Sequence, residues 1–224
     1  MLPKPTDAME RYRLIAILRG ISVDMLPDVT DALYEGGIRL AEITFDAAGT
    51  VSDTETASRI ERAAARMEGK MHIGAGTVLT AEQLRMTCAA GGTFVVSPHT
   101  DPCLIETAKA LGLMSVPGAM TPSEIVAAHK AGADYVKLFP VSALGPDFIR
   151  RMQGPLPHIR LLAVSGVGLG DIPAYLEAGA AGFGIGSAIA NRTLCQNGDT
   201  AAIRAQAAAY AKACEKPALT EDGL

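Results

Sequence analysis

The chain has 224 residues, a formal net charge of −4 and 49% hydrophobic residues with no tryptophan. That length fits one large domain, and the dominance of Ala, Val, Ile, Leu and Gly suits a parallel sheet covered by helices. No basic stripe marks a nucleic-acid surface, Arg150-Arg151 being too short, and no apolar run reaches the roughly 18 residues of a membrane span. The polar start, Met1 to Arg13, lacks the apolar core of a secretion signal, so a cytoplasmic protein is expected. Cys88, Cys103, Cys195 and Cys214 show no CxxC spacing and read as reduced thiols.

In chain order, apolar runs predict strands at 14–18, 38–45, 71–75, 93–97, 113–116, 133–139, 159–164 and 180–185. Five of them follow a helix-like segment that ends in glycine, at Gly36-Gly37, Gly91-Gly92, Gly112, Gly132 and Gly179. Glycine just past a helix is the left-handed C-terminal cap, so each repeat marks a helix-to-strand joint. Helix starts are also readable: Thr80-Ala81-Glu82-Gln83 has the pattern of a capping box, and Thr121-Pro122-Ser123-Glu124 puts Pro in the first turn. Eight strand–helix alternations in about 200 residues predict the α/β class and a single (β/α)8 TIM-barrel domain. It spans residues 1–224, with the barrel over about 14–190, a lead-in before it and a helix after it. An open doubly wound sheet is the alternative, but no GxGxxG follows the first strand.

In such a barrel, chemistry gathers at the C-terminal ends of the strands. Lys137 lies inside Tyr135-Val136-Lys137-Leu138-Phe139-Pro140, the pattern of a buried strand. Desolvation lowers an amine's pKa and leaves a neutral fraction able to attack a ketone and form a Schiff base. A snorkelling or ion-paired lysine is the plain alternative. Glu42 and Thr44 share a face of the second strand. If they point inward, Glu42 is either a general base beside Lys137 or an ion-pair partner of Lys137 or Arg19. Arg19 and Thr77, at strand ends, suit a carboxylate. Ser165-Gly166 and Gly186-Ser187 end the last two strands, where this fold commonly binds phosphate. His72, His99, His129 and His158 have no metal-site spacing.

Together these motifs resemble the 2-keto-3-deoxy-6-phosphogluconate and 4-hydroxy-2-oxoglutarate aldolase family, class I Schiff-base enzymes. The likeness runs from about Ile15 to Ile189. It is carried by Ile15-Ala16-Ile17-Leu18-Arg19, Glu42-Ile43-Thr44-Phe45, Ile73-Gly74-Ala75-Gly76-Thr77-Val78, Val96-Ser97-Pro98-His99, Lys137-Leu138-Phe139-Pro140 and Gly184-Ile185-Gly186-Ser187. The resemblance implies Lys137 as the Schiff-base lysine, Glu42 as acid/base, and Arg19 and Thr77 on the substrate carboxylate. It further implies Pro98 and Phe139 as pocket walls, and Gly166, Gly186 and Ser187 around phosphate, with Ser165 beside it. A homotrimer without metal or organic cofactor is implied as well, acting on a phosphorylated small-molecule keto acid. Expected products are pyruvate and glyceraldehyde 3-phosphate. Unphosphorylated 4-hydroxy-2-oxoglutarate is the alternative substrate, an epimerase or isomerase on the same barrel a second alternative, and a non-catalytic phosphate-ligand binder a third. Four positions depart from the pattern. Asp46 stands where some members carry arginine, and Ala163-Val164-Ser165 replaces Pro-Thr-Gly, with the Ala-Val pair closer to the 6-phosphogalactonate branch.

Overall fold

The computed structural model describes residues 2–215. Nine parallel strands form the sheet: β1 (Leu14–Leu18), β2 (Leu40–Thr44), β3 (His72–Gly76), β4 (Phe94–Val96), β5 (Met114–Val116), β6 (Gly118–Ala119), β7 (Val136–Leu138), β8 (Leu161–Val164) and β9 (Gly182–Ile185). Their order is β5-β4-β3-β2-β1-β9-β8-β7-β6. The two edge members are halves of one barrel strand separated by Pro117, which has no amide to give a ladder. On one side Val116 O accepts from Ser97 N at 3.2 Å; on the other Pro117 O accepts from Lys137 N at 2.8 Å. The split strand thus serves both neighbours and closes a (β/α)8 barrel.

Helices α2 (Leu26–Glu35), α3 (Asp53–Arg66), α4 (Ala81–Ala89), α5 (Pro102–Ala110), α6 (Pro122–Lys130), α7 (Gly145–Gln153) and α8 (Ile172–Glu177) alternate with the strands. After β9 come α9 (Arg192–Gln196) and α10 (Thr200–Cys214), and α1 (Pro5–Tyr12) precedes β1. The five predicted joints form, with positive φ at Gly37, Gly91, Gly112, Gly132 and Gly179. They also explain why several strands start later than the apolar pattern predicts. Ile38 N donates to Leu33 O, Leu113 N to Ala108 O, Ala133 N to Ala128 O and Ala180 N to Tyr175 O. These amides still bond backward into the helix, so cross-strand hydrogen bonds begin only with the residue that follows each of them. The full capping box is at Thr121 and Glu124. At Thr80 only half forms, because the Gln83 side chain accepts from Leu79 N instead.

Alternation along each strand sorts the apolar residues into two layers. Outward residues such as Ala41, Ile43, Ile73, Ala75, Val136 and Leu138 pack under the helices. Inward residues Ile15, Leu40, Phe94, Val96, Met114, Val116, Leu162 and Val164 fill the barrel. They are joined by Ala8 and Met9 of α1, which crosses the N-terminal opening. Met9 packs on Gly182, Tyr135 Oη donates to Thr6 O, and His72 Nε2 meets Pro3 O at 2.8 Å. These contacts fall on the starts of strands around the barrel and seal its floor. On β3 and β9 the inward positions are glycines, Gly74, Gly76, Gly182 and Gly184. Neighbours fill the space: the Phe94 ring at Gly74, the Glu42 carboxyl at Gly76, and Val164 with Ile17 at Gly184.

Candidate active site

Above this floor the C-terminal strand ends enclose a cavity of about 1040 Å³. Lys137 of β7 and Glu42 of β2 reach it from opposite sides of the barrel, 7% and 2% exposed. Neither head group has a hydrogen bond within the protein, and no ion pair joins the two, among the described residues. Both head groups line the cavity, and the one buried side-chain nitrogen or oxygen without a hydrogen-bond partner among the described residues is Arg59 Nε. The ion-pair alternative for Glu42 and Lys137 therefore finds no contact to support it. An alanine Cβ at Gly76 would lie 2.4 Å from Glu42 Oε1, so the carboxyl occupies space that glycine alone leaves open.

Burial pushes the Glu42 carboxyl up from 4.5 to about 7, against the pull of Lys137 and Arg19. Burial likewise lowers the Lys137 amine, with Glu42 opposing and Arg19 assisting. Proton exchange between an acid near neutrality and a weakened amine is the condition general acid–base catalysis needs. The Lys137 Nζ also sits 4.4 Å from the centre of the Phe139 ring, which forms part of the rim.

Arg19, just past β1, extends its Nη2 to Thr77 Oγ1 at 3.4 Å. Thr77 holds φ of +57°, a left-handed conformation unusual for a β-branched residue. Ser165 and Gly166 follow β8 with φ of +75° and +80°, and a Cβ at Gly166 would meet Ser142 Cβ at 2.5 Å. Ser165, Gly166, Gly186 and Ser187 all line the cavity with Arg19, Glu42, Lys137 and Phe139. Thr77 and Pro98 do not. Thr77 touches the site through Arg19, and Pro98 is half-buried with its carbonyl against Gly118.

Asp46 is on the cavity wall, but its carboxylate is taken up by its own loop. It accepts from Ala48 N, Thr50 N and Val51 N at 2.8–3.0 Å and from the Thr50 hydroxyl. These donors, the hydroxyl first, hold it down to about 2. The departure at this position is thus a loop organiser. Sequence reasoning missed Arg59 of α3 and Arg192 of α9, both on the wall. Neither lies at a strand end, and only the helical spacing from Glu55 gave any hint of where Arg59 points. No group of three or more His, Cys, Asp or Glu that could hold a metal occurs among the described residues. No helix among them is long and apolar enough to cross a membrane.

Fold and site together describe a (β/α)8 barrel equipped for imine chemistry on a carbonyl compound. Residues 6–206 match the family model for KDPG and KHG aldolase. A probable 2-dehydro-3-deoxy-6-phosphogalactonate aldolase of Rhizobium meliloti (strain 1021) is 38% identical over 186 residues, 83% of this chain and 84% of that one. The 2-dehydro-3-deoxy-6-phosphogalactonate aldolase of Escherichia coli (strain K12) is 34% identical over 175 residues, 78% and 82% of the two chains. A solved structure described as native KDPGal superposes with a TM-score of 0.79 at 33% identity, covering 89% and 93%. The chain belongs to the KDPG and KHG aldolase family.

Proposed function

We propose that the chain is a Schiff-base aldolase that cleaves a 6-phosphorylated 2-keto-3-deoxy sugar acid to pyruvate and glyceraldehyde 3-phosphate. The observation that carries this reading is Lys137 and Glu42 lining one cavity above the barrel floor, each without a hydrogen bond or ion pair. Neutral Lys137 attacks the C2 ketone, and Glu42 shuttles protons as the carbinolamine loses water. The iminium then draws electrons from the C3–C4 bond while the Glu42 carboxylate takes the C4 hydroxyl proton. The aldehyde leaves, Glu42 returns that proton to C3 of the enamine, and water releases pyruvate and the free amine. The protonated imine does the work that a Lewis acid does elsewhere, so activity in EDTA is expected to be unchanged. Arg19, braced by Thr77, holds the carboxylate, Phe139 walls the site, and Ser165, Gly166, Gly186 and Ser187 surround the phosphate.

The galactonate epimer is the favoured substrate. Val164 places methyl groups, without a hydroxyl, beside Gly184 at the cavity wall, and both relatives described above carry the galactonate name. A homotrimer in the cytoplasm completes the reading; light scattering should return three times the chain mass. The test of the chemistry is borohydride with pyruvate, read by mass spectrometry. An adduct is expected on the unaltered protein and none on Lys137→Ala; an adduct on the variant, or none on either, would end the Schiff-base reading. Cleavage of the gluconate and galactonate epimers, and of 4-hydroxy-2-oxoglutarate, then ranks the substrates.

A further inference from the structure

The wall of the cavity is electrostatically lopsided in a chain that is acidic overall. It carries four cations, Arg19, Arg59, Lys137 and Arg192, against two acids, Glu42 and Asp46. Glu42 is buried and raised to about 7, while Asp46 keeps its negative charge but turns its oxygens to its own loop donors. Both terminal nitrogens of Arg59 are occupied, Nη1 donating to Ile21 O at 3.2 Å and Nη2 pairing with Glu55 at 2.5 Å, while its Nε is buried without a partner. Arg192 is different. It is exposed and has neither hydrogen bond nor ion pair among the described residues.

Its placement is fixed by the backbone around it. Gly186 O accepts from both Ile189 N and Ala190 N, at 2.9 and 3.1 Å, so the chain turns back on itself directly after the glycine-rich end of β9. Asn191 Oδ1 then accepts from Leu194 N at 2.9 Å and holds the next turn. Arg192 is thereby kept on the same cavity wall as Ser165, Gly166, Gly186 and Ser187.

We propose that Arg192 is a further substrate-recognition residue, supplying a free guanidinium to the phosphoryl group that the glycine-rich ends of β8 and β9 receive. This rests on the phosphorylated-substrate reading above. The backbone amides at those ends offer direction but no full charge, whereas a guanidinium offers both, and its fork fits phosphoryl oxygens two at a time. A positive wall inside a negative molecule also concentrates anionic ligands at the mouth.

The experiment compares the unaltered protein with Arg192→Gln and Arg192→Lys. Glycerol 3-phosphate, which carries the phosphoryl end without the ketone, is titrated by calorimetry, and pyruvate binding is read by borohydride trapping. Arg192→Gln should weaken glycerol 3-phosphate by on the order of tenfold or more, the scale of a charge-assisted hydrogen bond. Pyruvate trapping should stay as it was, and Arg192→Lys should recover part of the loss. In cleavage, KM for the phosphorylated acid should rise while 4-hydroxy-2-oxoglutarate is unaffected. Equal affinity for glycerol 3-phosphate in the unaltered and Gln proteins, or equal weakening toward pyruvate, overturns the proposal. An unaltered protein that forms no pyruvate adduct would strike the Schiff-base reading instead, and the glycerol 3-phosphate comparison would still decide the role of Arg192.

Discussion

Replacing Glu42 by glutamine keeps the shape of a side chain at the bottom of the cavity and removes its charge. Burial raises that carboxyl from 4.5 to about 7. Each pKa unit is worth about 1.4 kcal/mol, so ionising Glu42 in the folded chain costs about 3 kcal/mol more than in the unfolded one. The folded form holds its proton more tightly. Stability from this group is therefore fully present below about pH 4.5, declines as the pH rises toward 7, and is lost above it. Glutamine cannot ionise, so Glu42→Gln should lack the decline. Its advantage at pH 8 is smaller than the full figure, because the Lys137 ammonium loses its carboxylate neighbour. Urea denaturation of both proteins at pH 5 and pH 8 should show the variant gaining about 1–3 kcal/mol between the two conditions. Turnover should fall by roughly 10²–10⁴-fold, and the acid limb of kcat/KM near pH 7 should vanish. Parallel stability profiles would refute the raised carboxyl, and near-normal turnover would refute its role as base.

Gly76→Ala tests the same group without touching it: a Cβ 2.4 Å from Glu42 Oε1 must displace the carboxyl, so kcat should drop at least about tenfold in steady-state kinetics while pyruvate trapping persists. Gly166→Ala and Gly186→Ala should differ in thermal melts. The first adds a Cβ 2.5 Å from Ser142 Cβ at φ +80° and should cost about 1–3 kcal/mol. The second meets nothing closer than Ile17 Cβ at 3.6 Å and should stay within about 0.5 kcal/mol. Asp46→Ala separates loop organisation from charge repulsion. Loss of the loop's acceptor should raise KM, and a lowered KM would mean that Asp46 repels the anionic substrate after all.

The barrel was legible because its grammar is local. A glycine after each of five helices fixes the joint, and an apolar run after each joint fixes a strand. Strand starts were less legible, since Ile38, Leu113, Ala133 and Ala180 are apolar for packing yet give their amides to the preceding helix. At the site, Lys137 and Glu42 stood out because a charge inside an apolar run needs a reason. Their lack of any hydrogen bond or ion pair is a three-dimensional fact that alternation alone does not contain. Asp46 looked like a threat to an anion from its charge, but its loop supplies four donors within five residues. Arg192 carried no signal, because its place on the cavity wall comes from a turn held by the Gly186 carbonyl and the Asn191 side chain rather than from a strand end. The apolar pattern ended the fifth strand at Val116, whereas that strand continues past Pro117 and is shared between two neighbours.

The sealed floor makes the cavity a vessel with one mouth. Whatever enters deepest must enter first, and whatever lies nearest the mouth must leave first. On the proposed chemistry, the three-carbon keto acid is tethered to Lys137 above the packed Met9 end, and the phosphorylated aldehyde lies outside it. Cleavage would then discharge the aldehyde before the tether is cut. Run backward, synthesis would load pyruvate first and aldehyde second, with aldehyde added early acting as a stopper. Helix α1, far from any reacting atom, would in this way reinforce the order that the covalent tether to Lys137 already imposes.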